Sequence, residues 1–334
     1  MTDPEPTETT APGAPDLVIT MINYRTPAMT IDCAKSVLAH GGDVDFRLVL
    51  IDNNSGDGSA DEIAAWIETL PAGHPVILVR SAENTGFAGG HNLGIGAVPG
   101  AAFYMPLNSD ATIRPEALAI MLGAMKREPD IGCLGPALLN SDGDVEISAF
   151  RHHSPLSELI RAAATGPITR LLQKHVVALP LPPDPARVEW VSFACVVIRR
   201  EVLETIGLLD DGYFMYFEDA DYCWKVKRAG WRIVYRPDAE IVHFRGGSSP
   251  VKTLAKARRR LPKYFYASRA RLLHRFYGRL GLLAANLLWH AGRLIARSRA
   301  LVGKESPQAV EHEALDIWTN FLDPTGDRHA PRDG

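Results

Sequence analysis

Two carboxylates stand where apolar, β-branched runs of the chain end. Asp52 follows the run Arg47–Ile51, and Asp110 lies just beyond Leu107, the last residue of another such run. In parallel sheets built with helical crossovers, ligands bind at the carboxyl ends of the strands. The Asp52 carboxylate is therefore suited to accept hydrogen bonds from a pyrimidine N–H or from ribose hydroxyls. The sequence Asp-Asn-Asn-Ser also favours an ordinary turn and helix cap, which is the alternative interpretation.

The tripeptide Asn108-Ser109-Asp110 has the chemistry of a metal site. A carboxylate there can bind Mg²⁺ or Mn²⁺ while diphosphate oxygens and water fill the other positions of the ion. Such an ion would offset the charge on a departing nucleoside diphosphate. Farther along, His243 can offer an imidazole to the ion, and Arg245 can offer a planar fork to a diphosphate. A hydrogen-bonded structural histidine is the alternative at position 243.

Three acids, Glu218, Asp219 and Asp221, fall within four residues beside aromatic residues such as Phe217 and Trp224. The start of a helix explains one or two acids through the helix dipole. Three acids among aromatic residues are more typical of a pocket wall. Partial burial and like-charge repulsion would raise the pKa of one of them, which suits a general base that removes a proton from an alcohol.

Strands that alternate with helices would bring these residues together in an α/β fold with a mostly parallel central sheet and right-handed crossovers. Strands are predicted at Leu17–Ile22, Arg47–Ile51, Val76–Val79, Ala102–Leu107, Gly132–Leu134, within Val188–Ile198 and at Arg232–Tyr235. Helices are predicted after Thr26-Pro27 and near Ala60–Leu70, Leu118–Met125, Arg200–Ile206 and Asp219–Ala229. The stretch His152–Pro185 is predicted as a variable loop or subdomain.

Two other enzyme classes are disfavoured by the turn after the first strand. A dinucleotide-binding domain needs Gly-x-Gly-x-x-Gly there, but the segment Met21–Pro27 contains no glycine. The later Gly94-Ile95-Gly96 has Pro99 where the third glycine should stand. A nucleotidyltransferase would carry a glycine-rich basic loop at the same turn, and none is present.

The charge of the chain is unevenly distributed. The net charge is −3, yet residues 252–304 hold fourteen Lys or Arg and no acid, which leaves 22 basic and 39 acidic residues elsewhere. Basic amphipathic helices over Tyr264–Arg299 suit an anionic membrane surface. The alternatives are packing on the catalytic domain and a homodimer interface. The longest uncharged run, Leu280–Gly292, is too short to span a bilayer, and the acidic catalytic part argues against nucleic acid.

Four segments follow from these patterns. Residues 1–16 are predicted as a disordered acidic tail, 17–250 as the catalytic domain, 251–304 as the basic helical extension and 305–334 as a C-terminal tail. The first segment lacks the features of a signal peptide. Four widely spaced cysteines in apolar settings predict buried free thiols in a reducing compartment. The expected location is therefore the cytoplasm, at the inner face of the cell membrane.

Six motifs in order identify a family. They are Asp52-Asn-Asn-Ser, Asn84-x-Gly-Phe-Ala-x-Gly-x-Asn92, Leu107-Asn-Ser-Asp110, Trp190-Val-Ser, Phe217-Glu-Asp-Ala-Asp221 and His243-Phe-Arg-Gly-Gly-Ser248. The series resembles the family 2 inverting glycosyltransferases, specifically their bacterial rhamnosyltransferase-like branch. The resemblance implies a Rossmann-like fold of the GT-A type, a nucleoside-diphosphate sugar donor, a divalent cation and inversion at the anomeric carbon.

The resemblance also implies roles for single residues. Asp52 would bind the donor base or ribose, Asp110 the metal, and His243 the metal or diphosphate, while Asp219 would be the catalytic base with Glu218 or Asp221 as possible support. The rest of the predicted donor site is Asn23, Tyr24, Asn84, Gly89, Asn108 and Ser109. The predicted acceptor or diphosphate residues are Trp190, Phe193, Arg245, Arg269 and Arg271. Phe193 stands where family members often have glycine, so its ring is expected to narrow the acceptor pocket.

The function that these assignments predict is transfer of L-rhamnose from dTDP-rhamnose to a polyprenyl-diphosphate-linked saccharide in cell-envelope synthesis. Within the same class, the alternative is a galactofuranosyl- or hexosyltransferase that uses a UDP donor. From another class, the alternative is a non-catalytic sugar-nucleotide-binding protein, which the acids at Asp110 and Asp219 disfavour.

Overall fold

The computed structural model describes residues 13–244, 250–299 and 306–331. The strands are β1 Leu17–Asn23, β2 Phe46–Asp52, β3 Val76–Arg80, β4 Phe103–Leu107, β5 Ala111–Ile113, β6 Ile131–Leu139, β7 Val145–Glu146, β8 Ala149–Phe150, β9 Trp190–Val191, β10 Val197–Arg199 and β11 Arg232–His243. The helices are α1 Pro27–His40, α2 Ser59–Glu68, α3 Gly86–Ala97, α4 Ala117–Arg127, α5 Pro155–Ala163, α6 Gly166–Leu171, α7 Arg200–Ile206, α8 Glu218–Arg228, α9 Val251–Lys256, α10 Lys263–Ser298 and α11 Glu313–Asp316.

One mixed sheet forms the centre of the fold, in the order β3-β2-β1-β4-β10-β6-β11-β5. Strands β1 to β4 are parallel, as the alternation of strands and helices predicted. Strand β10 runs antiparallel to both of its neighbours, β4 and β6. A short apolar run carries no information about direction, so sequence alone did not reveal this reversal.

Both faces of the sheet are covered, and strand β1 shows how. Its residues Leu17, Ile19 and Met21 belong to an apolar core with α1 and α4, whereas Val18 belongs to a second core with α3 and α8. A strand that is buried on both sides must be apolar throughout. This requirement explains why β1 and β2 are apolar, apart from Thr20 and Arg47, up to their last residues, Asn23 and Asp52.

The glycine-rich stretch after β3, which was not predicted as a helix, forms α3. Its glycines allow close packing on the sheet, because a Cβ added at Gly90 would lie 2.7 Å from Ile22, and one at Gly94 would lie 2.7 Å from Thr20 and Ile51. Gly89, predicted to shape the donor pocket, instead faces Thr85, whose Cβ would lie 2.6 Å from an added Cβ. The small size of Gly89 therefore leaves room for the Thr85 side chain at the first turn of the helix.

The stretch predicted as a variable loop contains α5 and α6. Ser154 caps α5 with a reciprocal pair of hydrogen bonds to Ser157, a local signal that the proline cluster farther on obscured. Helix α5 packs along α10, where a Cβ added at Gly292 would lie 2.7 Å from the carbonyl oxygen of Leu159. Helix α10 is kinked at Gly278, whose φ is 67°.

Arg269 and Arg271, predicted to face an acceptor diphosphate, are engaged inside the protein. Arg269 is 2% exposed and donates from Nε and Nη2 to Glu158 at 3.0 and 2.9 Å. Arg271 forms a bidentate pair with Asp210 at 2.9 and 3.0 Å. Buried charges require such partners, and the acids that supply them lie far away in sequence. The prediction for these two arginines was therefore wrong.

The C-terminal segment, predicted as a tail, packs against α10 over the described residues 306–331. Arg260 forms a bidentate pair with Asp316 at 2.7 and 2.8 Å, and Arg328 pairs with Glu83 at 2.9 Å. The chain thus returns to the edge of the sheet where β2 and β3 end. Of the predicted N-terminal tail, residues 1–12 lie outside the described residues.

All four cysteines are free and buried, as predicted. Within the described residues, none of the helices combines the length and apolar character needed to cross a membrane.

Gly86 is expected to be the least replaceable glycine of α3. Its φ is +72°, and an added Cβ would lie 2.0 Å from the carbonyl oxygen of Phe214. We expect Gly86→Ala to lower the free energy of unfolding by more than about 2 kcal/mol, from the left-handed backbone and the collision together. The control is Gly96→Ala, where an added Cβ meets nothing within 4 Å and should raise stability by up to about 1 kcal/mol. Urea denaturation of both variants measures this, and equal midpoints would contradict it.

The ion pair of Arg269 leads to a second stability prediction. Arg269→Gln removes one partner of the buried Glu158 carboxylate, which retains only Arg161. We expect a loss on the order of 3 kcal/mol in the free energy of unfolding, because an incompletely paired charge stays buried. Arg297→Gln, on the same helix at an exposed position, should change stability by less than about 0.5 kcal/mol. A stable Arg269→Gln variant with weakened acceptor binding would restore the original assignment.

Candidate active site

A cavity of about 750 Å³ opens at the carboxyl ends of β1, β2 and β4. Four of the predicted donor residues line it, namely Tyr24, Asn84, Asn108 and Ser109. Its wall also includes residues that sequence reasoning did not select, among them Asn53, His91, Lys263, Tyr264 and His329. The size and mainly apolar lining, with a few polar groups, are those of a pocket for a small organic ligand.

Asp52 is 5% exposed and does not belong to the cavity lining. Its Oδ1 accepts hydrogen bonds from Asn23 Nδ2 at 2.8 Å and from Ser55 Oγ at 2.6 Å, and its Oδ2 accepts from the backbone N–H of Ser55 at 3.2 Å. These bonds tie the end of β1 to the end of β2. Asn23 and Asp52 thus support the loop that presents Tyr24 to the cavity.

Asn53 is the residue at this strand end that reaches the cavity. Its Nδ2 donates to Asn84 Oδ1 and to the carbonyl oxygen of Gly86, both at 3.0 Å. Its Oδ1 accepts from the backbone N–H of Thr85 at 3.1 Å and from Thr85 Oγ1 at 3.0 Å. Every hydrogen-bonding position of the amide is used, so Asn53 holds the start of α3 against the end of β2. The Asp-Asn pair after β2 was the available signal for it.

Asn108, Asp110 and His243 meet at the end of β4. Asp110 Oδ1 lies 3.1 Å from His243 Nε2, and Asn108 Nδ2 lies 3.2 Å from the same nitrogen. The pairing of β11 with β5 places His243 opposite Ala111, the residue after Asp110. Residues more than a hundred positions apart are thereby joined.

The donor set of this cluster fits a divalent cation. Two ligands at right angles around an ion with bonds of about 2.1 Å lie about 3 Å apart, which matches the separation of Asp110 Oδ1 and His243 Nε2. Over the ranges that the structure describes, no group of three or more His, Cys, Asp or Glu side chains could hold an ion. A cation at this pair would therefore need further oxygen ligands from a phosphate or from water.

The three acids of the 217–221 motif have different environments. Asp219 is partly buried, with its Oδ1 accepting from the backbone N–H of Ala220 at 2.8 Å. Burial raises the pKa of Asp219 to about 6, and the backbone N–H groups of Ala220 and Phe193 limit that rise. Asp219 is therefore a carboxylate at neutral pH that can still take up a proton readily.

The two neighbouring acids are less suited to proton transfer. Glu218 is 6% exposed, and burial followed by repulsion from Asp219 raises its pKa well above the usual range, which makes its carboxyl group a poorer site for a negative charge than that of Asp219. Asp221 is 1% exposed and pairs with Lys225 at 3.0 Å and with Arg275 at 3.3 Å. Among the three, Asp219 combines partial exposure with the ionised state.

The backbone before α8 adopts an uncommon conformation. Tyr216 and Phe217 both have φ of 71°, in the left-handed region that costs energy for residues with side chains. The carbonyl oxygen of Phe214, just before them, accepts from the backbone N–H of Phe87 at 2.7 Å. This segment thus lies against α3, and its turn directs the first residues of α8. Strain of this kind is often found at functional sites.

Phe193 contributes to the site through its backbone. Its ring is 2% exposed and packs against Tyr222 with ring centroids 6.0 Å apart, so it lies in the core and does not narrow a pocket. Its backbone N–H donates to Asp219. The adjacent carbonyl oxygen of Ala194 accepts from the backbone N–H of Asn108 at 2.9 Å. One short loop therefore connects Asp219 to the cluster at the end of β4.

The remaining predicted acceptor residues are Trp190 and Arg245. Trp190 is 7% exposed, donates from Nε1 to the carbonyl oxygen of Arg151 at 2.8 Å and stacks on Phe150 at 4.0 Å. Its ring therefore belongs to the core beside β8. Arg245, with the rest of the motif up to Ser248, lies outside the described residues.

His91 lines the cavity without having been singled out. Its Nδ1 lies 2.8 Å from Thr20 Oγ1, and burial lowers its pKa to about 3. The imidazole is therefore neutral at physiological pH and serves as a hydrogen-bonding wall group. A histidine within a glycine-rich helix gives no sequence signal for this role.

Comparison with known proteins agrees with this geometry. The family model for glycosyl transferase family 2 matches residues 16–207. The N-acetylglucosaminyl-diphospho-decaprenol L-rhamnosyltransferase of Mycobacterium tuberculosis is 31% identical over 231 residues, which cover 62% of this chain and 70% of that protein.

Solved glycosyltransferase structures share the fold. A mannosyltransferase from Pyrobaculum calidifontis in complex with GDP-Man and Mn²⁺ superposes with a TM-score of 0.52 at 16% identity, over 87% of this chain and 76% of that one. GalNAc-T7 with UDP, GalNAc and Mn²⁺ gives 0.57 at 13% identity, over 93% and 55%. These similarities confirm the predicted GT-A-type architecture. The chain belongs to glycosyl transferase family 2, and it is a glycosyltransferase of the bacterial rhamnosyltransferase-like kind.

Proposed function

We propose that this glycosyltransferase moves L-rhamnose from dTDP-rhamnose to a hydroxyl of a polyprenyl-diphosphate-linked saccharide of the cell envelope, at the cytoplasmic face of the membrane. The similarity to a rhamnosyltransferase named for a decaprenol-linked substrate supports this choice of donor and acceptor. The catalytic part of the proposal is supported by the loop at 193–194. Its backbone is hydrogen-bonded both to the Asp219 carboxylate and to the backbone N–H of Asn108.

The donor is assigned to the 750 Å³ cavity. Tyr24, Asn84 and Ser109 offer polar groups to the nucleotide, while Asp52 acts from behind the wall as a positioning residue. Pro262, Lys263, Tyr264 and the segment 329–331 complete the cavity. The catalytic unit proposed here therefore extends beyond residue 250 to include these C-terminal residues.

Asp110 and His243 would hold a divalent cation, Mn²⁺ or Mg²⁺, together with the diphosphate oxygens of the donor. When bound, the cation offsets negative charge on the leaving nucleoside diphosphate. Two protein ligands leave most coordination positions to the substrate. Cation and donor are therefore expected to bind together, each strengthening the binding of the other.

Asp219 performs the proton transfer in this mechanism. Its carboxylate accepts the proton of the acceptor hydroxyl while that oxygen forms a bond to the anomeric carbon. The bond from the anomeric carbon to the diphosphate oxygen breaks on the opposite face, so the configuration inverts. The backbone N–H groups of Ala220 and Phe193 fix the orientation of the carboxylate, and the raised pKa of Glu218 beside it disfavours a second negative charge there.

The proposal is tested first by binding and then by turnover. Calorimetry with dTDP-rhamnose, UDP-galactofuranose, UDP-GlcNAc and GDP-mannose, each with and without Mn²⁺, should show the tightest binding for dTDP-rhamnose with Mn²⁺. Asp219→Asn should keep donor binding but reduce turnover by about 10²–10⁴-fold. Preference for a UDP donor would replace the rhamnose assignment with a galactofuranosyl- or hexosyltransferase. Failure of every sugar nucleotide to bind would overturn the proposal.

The ionisation of Asp219 sets the expected pH dependence. Because burial raises its pKa to about 6 and only the carboxylate can accept a proton, turnover should be constant above that pH. Below it, turnover should fall about tenfold for each further pH unit. Rates measured from pH 4.5 to 8.5 at saturating donor, with binding of the donor followed in parallel, provide the check. If turnover of the Glu218→Gln variant still falls below about pH 6, the titrating group is Asp219. If the variant no longer shows this fall in turnover, the base is Glu218.

A further inference from the structure

The second half of α10, after the kink at Gly278, has one face buried against the protein. Its residues Leu282, Ala285, Trp289 and Ala296 are all 2% exposed or less. Gly292 lies against the backbone of α5. This half of the helix is therefore held along its length and lies on the surface of the molecule.

The opposite face of the same segment is apolar and exposed. Leu280, Leu287 and Leu294 are 81%, 55% and 66% exposed, and their spacing of seven residues is two helical turns. At about 1.5 Å per residue the row is about 21 Å long. Leu283, Ala284 and Ala291 lie on the same side and are also apolar, so no polar side chain interrupts the row between Leu280 and Leu294.

The C-terminal segment widens this surface. Leu322 and Leu315 are 81% and 73% exposed. Arg279 donates to the carbonyl oxygen of Leu322 at 3.1 Å, which places Leu322 next to the start of the row. Trp318, which follows Leu315, stacks against His290 with ring centroids 6.2 Å apart. We call the five residues Leu280, Leu287, Leu294, Leu315 and Leu322 the leucine face.

The concentration of apolar exposure here is unusual for this protein. Over the described ranges, seven large apolar side chains are more than half exposed, and five of them form the leucine face. Such a concentration of large exposed apolar side chains is typical of an interaction site.

The charges beside the leucine face are predominantly positive. Helix α10 contains seven Lys or Arg and no acid, and Arg279 and Arg297 are exposed along one flank of the row. In the adjoining segment Asp316 is paired with Arg260, while Asp323 is exposed next to Leu322. The face is thus apolar with a basic flank, within a chain that is acidic elsewhere.

We propose that the leucine face inserts into the headgroup region of an anionic lipid bilayer, with the second half of α10 parallel to the membrane. An apolar stripe bordered by arginines is the composition of helices that lie in the membrane interface, and the basic flank complements anionic headgroups. A second copy of the chain is disfavoured as the occupant, because its matching face carries the same arginines and offers no anionic groups to the basic flank. The inference goes beyond the proposed transfer reaction and rests on exposure and charge.

The test is co-sedimentation of the full chain with vesicles of phosphatidylcholine alone or mixed with phosphatidylglycerol. The wild type should bind the mixed vesicles, and the triple variant Leu280→Gln, Leu287→Gln, Leu294→Gln should bind at least about tenfold more weakly. The matched control is Leu93→Gln with Leu208→Gln, two exposed leucines elsewhere, which should bind as the wild type does. Arg279→Gln with Arg297→Gln should lower binding to the anionic vesicles only.

Two further measurements distinguish loss of vesicle binding from loss of fold and from a change in oligomeric state. Thermal unfolding and donor calorimetry in solution should be unchanged in the triple variant, so that loss of vesicle binding is not loss of fold. Light scattering reports the oligomeric state. Wild-type protein that fails to sediment, a triple variant that binds normally, or a wild-type dimer that the triple variant dissociates would each overturn the inference. Vesicle binding without any sugar-nucleotide binding would leave the inference standing and remove the proposed function.

Discussion

The hydrogen bond from the backbone N–H of Asn108 to the carbonyl oxygen of Ala194 joins the two chemical halves of the site. On one side lie Asp110 and His243, which are placed by the pairing of β11 with β5. On the other side the N–H of Phe193 holds the Asp219 carboxylate. Both halves therefore depend on the short loop between β9 and β10. The antiparallel direction of β10 is what returns this loop to the end of β4.

A second constraint is the close approach of α3 to the sheet. Gly90 and Gly94 let the helix lie directly on β1 and β2, and Gly86 lets its first turn contact the backbone of Phe214. The same helix start thereby touches the segment that leads to Asp219. The fully bonded amide of Asn53 fixes this start to the end of β2. The cavity proposed for the nucleotide and the segment that carries Asp219 are thus parts of one packed unit.

The sequence predicted those parts of the site that depend on local pattern. Asp52 and Asp110 were located because a strand buried on both faces is mostly apolar, so an acid at or just beyond its end marks the edge of the sheet. The roles of the residues were harder to predict. Asp52 lies behind the cavity while its neighbour Asn53 lines it, because one residue reverses the direction of a side chain at a strand end.

Contacts between distant parts of the chain were not predictable from local pattern. His329 reaches the proposed donor cavity from the far end of the chain, and neither spacing nor composition connects it to Tyr24. The ring of Phe193 was expected in the acceptor pocket, yet it packs on Tyr222. A backbone N–H, which every residue except proline carries, makes the contact with Asp219 there, so side-chain identity gave no signal.

The basic segment shows that the surface charge, too, could not be predicted from sequence alone. Sequence presents the arginines of α10 as one class, but Arg269 and Arg271 neutralise Glu158 and Asp210 inside the protein, while Arg297 is exposed. The sum of charge therefore overstates what the surface offers to a partner. The inward arginines anchor the first half of α10, and after the kink at Gly278 the buried Leu282 and Trp289 hold the second half with its exposed leucines outward. The buried ion pairs thus help to keep the exposed leucine face in a fixed position.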